Sequence, residues 1–198
     1  MTYRQRVDRI FGAVQDLIAS ESDSPKGEMD AWLMSRFNTH LNEIRAAMEK
    51  YDLRQMTTTV YFDMYNDIKW YSRRGGSNAE TIREALKIWI QAMMPVTPHT
   101  AEELWESAGF EGLVSACQLP EADVGMISAA SEYGENLIRD VMSDITEIRK
   151  IAKMEPKRIV LYTSAEWKRE VMRKGAAMLA EGELTVPGLT KACMSDES

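Results

Sequence analysis

The chain has 198 residues, of which 44% are hydrophobic, and this suffices for one sizeable domain with a buried core. A net charge of −7 at pH 7 argues against a protein that grips nucleic acid over its whole surface, although it leaves room for a local basic patch. The sequence contains no run of about 18 apolar residues, so it predicts no membrane-spanning helix. It has no recognisable secretory signal. Cys117 and Cys193 have no Cys or His neighbours at ligand spacing, so we expect free thiols in a reducing cytoplasm.

Apolar residues recur at helical spacing through the first half of the chain and predict a mainly α-helical protein. The predicted helices cover about residues 3–19, 28–50, 53–74, 77–94 and 97–108. Gly75 and Gly76 favour the end of the third helix, and residues 77–80 have the pattern of a capping box that opens the fourth. Long helices on short links favour an up-and-down helical bundle over residues 1–115.

The pattern changes after residues 116–127, which we interpret as a linker. The stretch KRIVLYTS at 157–164 is the one predicted strand, and helical patterns lie on both sides of it. A second capping box, at 163–166, is expected to open the helix that follows the strand. The sequence therefore predicts a small α/β appendage, a helix-strand-helix unit over residues 128–180, and a frayed or truncated tail over residues 181–198.

His99, Glu102 and Glu103 are the residues that most resemble a catalytic or metal-binding group. A catalytic zinc needs three protein ligands, and the only other histidine, His40, lies on a different predicted helix. Pro98 places the group in the first turn of a helix, where acids are favoured by the helix dipole alone. We favour the structural interpretation. The chain also has no nucleophile motif and no glycine-rich phosphate loop, so no catalytic residue and no metal ligand is predicted.

The stretch DIKWYSRR places cations beside aromatic rings at the end of the third predicted helix. Lys69, Arg73 and Arg74 are of a type that binds phosphates, and Trp70 and Tyr71 could stack on a sugar or a base. The same pattern also suits compensation of the helix dipole with ordinary aromatic packing. The spacing does not separate these two interpretations.

A second basic segment runs over residues 149–174, with nine basic residues against three acids. Such a segment either binds a phosphate backbone or forms an ordinary solvated face. Physical reasoning alone favours the solvated face.

Four motifs stand out along the chain: DAWLMSRFN (30–38), NDIKWYSRR (66–74), WIQAMMPVTPHTAEELWE (89–106) and LP (119–120). Together they resemble a known family, the anticodon-binding helical bundle of class I aminoacyl-tRNA synthetases of the Leu/Ile/Val type. Their order and spacing resemble that family over almost the whole chain. WYSRR and the segment from LIRDVMSDITEIRKIAK to RIVLYTSAEWK are most similar to leucyl-tRNA synthetases of the archaeal and eukaryotic cytosolic kind.

The resemblance implies a fragment of a leucine-tRNA ligase, whose catalytic domain uses ATP with Mg and carries the HIGH and KMSKS signatures. Neither signature is in this sequence, so the fragment alone is expected to bind no cofactor and to be inactive. The implied partners are tRNA(Leu) and the remaining domains of the parent enzyme, in the cytoplasm, with no membrane or DNA partner.

Charge and position within the motifs select the candidate tRNA contacts. They are Arg36, His40, Lys69, Trp70, Arg73, Arg74, Lys150, Lys153, Lys157, Arg158 and Lys168. Two alternatives remain open: the same region of a valyl- or isoleucyl-tRNA synthetase, and a helical protein-interaction module with no RNA role.

Overall fold

The computed structural model describes residues 3–153 and 155–195, and it divides into two compact units, Met1–Ile145 and Thr146–Ser198. The α-helices among these residues are α1 (Tyr3–Ala19), α2 (Glu28–Glu49), α3 (Leu53–Thr58), α4 (Met64–Arg73), α5 (Ala79–Met93), α6 (Pro98–Ser107), α7 (Ala129–Ala152), α8 (Glu166–Ala180) and α9 (Val186–Met194). The prediction of a mainly α protein is confirmed. None of the described helices is long and apolar enough to cross a lipid bilayer.

The core of the first unit lies between the apolar faces of its helices. Leu33, Phe37 and Ile44 follow one face of α2 at helical spacing, and each is 0% exposed. Trp89 on α5 and Ile68 on α4 meet the same core cluster. Burial of each such side chain contributes about 1.5–3 kcal/mol to folding, so this pattern is the main reason why the helices associate.

The helix predicted over residues 53–74 forms, with one irregularity in its middle. A π-helical turn at Thr59–Asp63 joins α3 to α4 without a break. The carbonyl of Val60 in this turn accepts a hydrogen bond from the indole N–H of Trp89 at 2.8 Å. A wider turn leaves backbone groups for partners outside the helix, and the buried indole supplies one.

Two glycines end α4. Gly75 has φ +86°, and its amide donates to the carbonyl of Ser72 at 3.1 Å, while the amide of Gly76 donates to that of Tyr71 at 2.9 Å. This is the Schellman arrangement, in which the last free carbonyls of a helix are satisfied by the residues that follow it. The chain can then turn at once into α5.

Both predicted capping boxes are wrong in detail. The N-cap of α5 is Asn78, one residue later than predicted, because its side chain accepts a hydrogen bond from the amide of Thr81 at 2.9 Å. Ser77 lies before the helix, and its hydroxyl contacts that of Ser22. At the second predicted box, α8 begins after Ala165, which has no side chain able to cap.

The predicted strand at 157–164 does not form, and the predicted α/β appendage is therefore not supported. The second unit contains helices and irregular chain in its described part, and the only β pairing among residues 3–153 and 155–195 is an isolated bridge between Ser22 and Asn78. A strand needs a neighbour to pair its backbone groups, and no second strand is described here. Ile159 and Leu161 are consequently 52% and 64% exposed.

Candidate functional site

α4 presents two cations to solvent, Lys69 and Arg73. The guanidinium carbon of Arg73 lies 5.7 Å from the centroid of the Trp70 ring, so the cation is held against an aromatic face. Within the described residues neither cation has an ion-pair partner. Both charges are therefore available to an anion from outside.

Trp70 and Arg74 differ from these two residues, because α7 engages both. The indole N–H of Trp70 donates to Glu135 at 2.8 Å, and the guanidinium of Arg74 donates to the same carboxylate at 3.1 and 3.2 Å. Trp70 is only 8% exposed. Burial would raise the pKa of Glu135, but the bonds from Arg74 and Trp70 outweigh burial and lower it. The charge of Arg74 is thus already compensated inside the protein.

Asp67 is the centre of a buried ion network between α2, α4 and α7. Its carboxylate is 3% exposed and accepts from Arg36 at 2.9 Å, from Arg139 at 2.8 Å and from a ring nitrogen of His40 at 3.0 Å. Burial, the largest effect, would raise the pKa of Asp67, but the bonds and charges of these partners outweigh it and lower the pKa. The network keeps the carboxylate ionised.

Two of the sequence-predicted contacts, Arg36 and His40, lie in this network. His40 is 1% exposed, and its other ring nitrogen faces Glu43 at 3.0 Å. Burial would lower the pKa of His40, but the hydrogen bonds with Asp67 and Glu43 outweigh burial and raise it above the ordinary 6.5. Both ring nitrogens are therefore engaged, and we leave His40 and Arg36 out of the proposed contact surface.

Glu132 fastens the start of α7 to α2. It accepts hydrogen bonds from the hydroxyls of Ser35 and Thr39 at 2.6 and 3.0 Å and from the guanidinium of Arg36 at 3.0 Å. α7 has no fully buried residue among those described, and its Ile138 and Met142 pack only partly buried against the core. Polar bonds therefore add to a limited apolar contact in holding this helix to the bundle.

The second unit carries the remaining candidates, and all of them are exposed. They are Lys150, Lys153, Lys157, Arg158 and Lys168. Lys153 lies just beyond α7 with φ +50°, and the Nζ atom of Lys168 lies 5.5 Å from the centroid of the Trp167 ring. The neighbouring Arg149 is paired with Glu155. The unit thus offers several solvated cations at and after the end of α7.

Comparison with known proteins decides the family. Residues 30–161 match the family model described as the anticodon-binding domain of tRNA ligase, which is more than half of the chain. The chain belongs to this family. The match includes the basic end of α4 and the ion network around Asp67.

Similar whole proteins are archaeal leucine–tRNA ligases. The enzyme of Methanococcoides burtonii is 35% identical over 98% of this chain and 21% of its own length. That of Methanocaldococcus jannaschii is 40% identical over 79% of this chain and 17% of its own length. The anticodon-binding domain described here thus spans about a fifth of the length of such relatives.

One solved structure resembles the fold. It is the LeuRS of Agrobacterium radiobacter K84 in a ternary complex with tRNA and LeuAMS, with a TM-score of 0.54 and 22% identity, over 64% of this chain and 16% of that one. At this identity the likeness concerns the helical fold.

Glu102, one of the group around His99, makes a structural contact in the anticodon-binding domain. The carboxylate of Glu102 accepts hydrogen bonds from the amides of Val114 and Ser115 at 2.9 and 3.0 Å, which ties α6 to the turn that follows it. Trp105, on the same helix, is 4% exposed. Among the described residues no group of three or more His, Cys, Asp or Glu side chains could hold a metal ion.

Arg6 on α1, which lies over the exposed ring of Phe62, is not among the residues predicted from the sequence. Glu132 and Glu135, the α7 carboxylates that bond to Arg36, Trp70 and Arg74, were not predicted either. The cluster of Arg4, Arg6 and Arg9 was a signal for the first of these. No signal pointed to the carboxylates, because their partners lie more than 60 residues away in the sequence.

Proposed function

We propose that this domain is the tRNA-binding region of a leucyl-tRNA synthetase. It holds the body of tRNA(Leu) through phosphate contacts, while the chemistry takes place in other parts of the enzyme. The observation that carries the proposal is a pair of exposed cations on α4, Lys69 and Arg73, which have no ion-pair partner in the described part of the chain. The chain belongs to a family in which its similar relatives are leucine–tRNA ligases.

The proposal also includes the activity of the parent enzyme. The catalytic domain of the parent uses ATP with Mg to activate leucine and transfers it to tRNA(Leu), in the cytoplasm. The division into a bundle (1–115), a linker (116–127), a C-terminal unit (128–180) and a tail (181–198) stays a prediction. A sister valyl- or isoleucyl-tRNA synthetase is less favoured, because the similar relatives are leucine enzymes.

The contacts follow from charge and exposure. In the first unit, Arg73 and Lys69 would bind phosphates of the tRNA. The exposed cations of the second unit would add further contacts to the tRNA backbone. Contacts to phosphates carry no base information, so they orient the tRNA rather than identify it. Trp70 is buried against Glu135 and would support Arg73 instead of stacking on a base.

Binding of tRNA(Leu) to the chain should be weak and should fall steeply with salt, because each phosphate contact releases counterions. Arg73→Gln should reduce the slope of log affinity against log salt by about 0.8 and raise Kd roughly fivefold at about 0.1 M salt. Arg74→Gln should have a smaller effect, because Glu135 already pairs with that cation. Fluorescence anisotropy with labelled tRNA over a salt series measures both variants.

The result that would contradict the proposed function is an absence of tRNA binding at low salt. That result would favour a protein-interaction module. Equal effects of the two variants would instead contradict the role given to Arg73.

The chain alone should show no leucine-dependent exchange of pyrophosphate into ATP. Neither the HIGH nor the KMSKS signature occurs in its 198 residues. An exchange assay with the full-length enzyme of a relative as positive control tests this. Turnover above the no-leucine background would mean that the chain has an active site of its own.

A further inference from the structure

α1 and α4 run side by side in the same direction. Arg6, near the start of α1, contacts Phe62, just before α4, while Ser22 beyond the end of α1 bonds to Ser77 beyond the end of α4. Side chains at corresponding positions along the two helices can therefore contact the same residues.

The guanidinium of Arg6 lies on an aromatic platform. Its carbon is 4.0 Å from the centroid of Phe62 and 5.2 Å from that of Tyr65. Its Nε atom is buried, with no hydrogen-bond partner in the described part of the chain. Stacking fixes the plane of the group, so less side-chain freedom is lost when its outer N–H groups bind a ligand.

Lys69 approaches the same platform from α4. Its Nζ atom is 5.8 Å from the centroid of Tyr65, the ring that Arg6 also contacts. No ion pair to Arg6 or Lys69 occurs among residues 3–153 and 155–195. Asp63, next to Phe62 in the sequence, forms no ion pair with either cation among these residues, and besides burial its pKa is influenced by the charges of His40, Glu43, Asp67 and Arg36.

Cations often lie over aromatic rings at protein surfaces, so packing accounts for part of this arrangement. Phe62 is 41% exposed and Tyr65 is 8% exposed, so the platform lies at the edge of the buried core, within reach of a ligand. Arg6 and Lys69 both lie beside Tyr65 with no ion-pair partner among residues 3–153 and 155–195, in a chain with a net charge of −7. Like charges at one place repel each other and become favourable when an anion lies between them.

We propose that Arg6 and Lys69 form a clamp for the RNA backbone, in which the stacked guanidinium and the ammonium bind neighbouring phosphates of the tRNA. The clamp extends the α4 surface around Arg73 onto α1, so the tRNA backbone follows the line of these two helices. The inference rests on the proposed function and adds the path of the bound strand. An arginine fork suits a phosphate because it donates two parallel hydrogen bonds.

The double variant Arg6→Gln with Lys69→Gln tests the clamp. It should reduce the salt slope of tRNA binding by about 1.6 and raise Kd roughly 10- to 40-fold at about 0.1 M salt. The control is Arg83→Gln with Lys87→Gln on α5, which likewise removes two cations, both of them exposed and one stacked at 5.4 Å on Phe110. The control should change Kd less than threefold.

A second test uses single charge reversals, in case the loss of Arg6 disturbs the packing of α1. Lys69→Glu should weaken tRNA binding, and Lys87→Glu is its control. Circular dichroism confirms that each variant is folded. If the wild type binds tRNA with a steep salt slope and the clamp variants match their controls, the clamp is overturned and the proposed function stands. If the wild type does not bind tRNA, the proposed function fails and the clamp fails with it.

Discussion

Replacing Asp67 by asparagine should lower the free energy of unfolding by about 3 kcal/mol at pH 6. Asparagine keeps the shape of the side chain but removes the charge that compensates Arg36, His40 and Arg139. Loss of one partner from a buried ion pair typically costs about 3–5 kcal/mol. We expect the lower end, because the side chains of Arg36 and Arg139 are 21% and 29% exposed and keep part of their hydration.

The pH dependence of stability should change in the same variant. The pKa of Asp67 is below its ordinary 3.8, so its contribution is present above about pH 4 and is lost as the pH falls through the lowered value. The pKa of His40 is above its ordinary 6.5, so its contribution is complete below 6.5 and is lost as the pH rises through the raised value. The network therefore contributes most, and at a constant level, between about pH 4 and 6.5. Asp67→Asn should lower stability throughout this window and should flatten the fall in stability that the wild type shows above about pH 6.5.

Urea unfolding followed by circular dichroism from pH 4 to 8 measures both effects. Asp16→Asn is the matched control, because Asp16 is an exposed acid on α1 and should cost less than about 0.5 kcal/mol. If the two variants were equally stable, the network would not stabilise the docking of α7.

Gly76→Ala should cost about 3 kcal/mol, at the upper end for overpacking. A Cβ atom at position 76 would lie 2.2 Å from Cε2 of Tyr71 and 2.4 Å from two more ring atoms. The ring cannot move away easily, because Tyr71 is 0% exposed and its hydroxyl donates to Asp30 at 2.6 Å and accepts from the amide of Asn78 at 3.2 Å.

Gly75→Ala is the control for backbone strain. Gly75 has φ +86°, which L residues rarely adopt, but a Cβ there would have no atom within 4 Å. We expect a cost of about 1 kcal/mol for the left-handed conformation alone. Thermal unfolding of both variants measures the difference. A larger loss of stability for Gly75→Ala than for Gly76→Ala would mean that backbone strain, rather than contact with the Tyr71 ring, limits substitution in this turn.

Much of the fold is predictable because helices depend on local spacing. The period of Leu33, Phe37 and Ile44 indicates α2 directly, and a pair of glycines marks the end of α4. The prediction of a strand at 157–164 was wrong, because strands depend on pairing with a distant part of the chain and not on local spacing alone. An apolar run favours a strand, but a strand exists only when a second one pairs with it.

The residues of the candidate site are likewise only partly predictable from the sequence. Charge and aromatic residues in DIKWYSRR indicate a contact surface, and Lys69 and Arg73 are exposed in the structure. His40, predicted as a contact from its side-chain type and its place on the second helix, lies inside the ion network. A charged residue is recognisable from its letter, whereas its partner depends on which helix packs beside it.

The sequence by itself therefore determined the helices, the apolar faces that build the core, and the family resemblance carried by four short motifs. Only the tertiary structure decided which cations are compensated. Arg74 and Arg36 are paired by carboxylates of α7 that lie about 60 to 100 residues further along the chain, while Arg6 and Lys69 meet on one aromatic platform without such a partner among the described residues. The physical reason is that electrostatic interactions depend on distance in space, which local spacing does not contain.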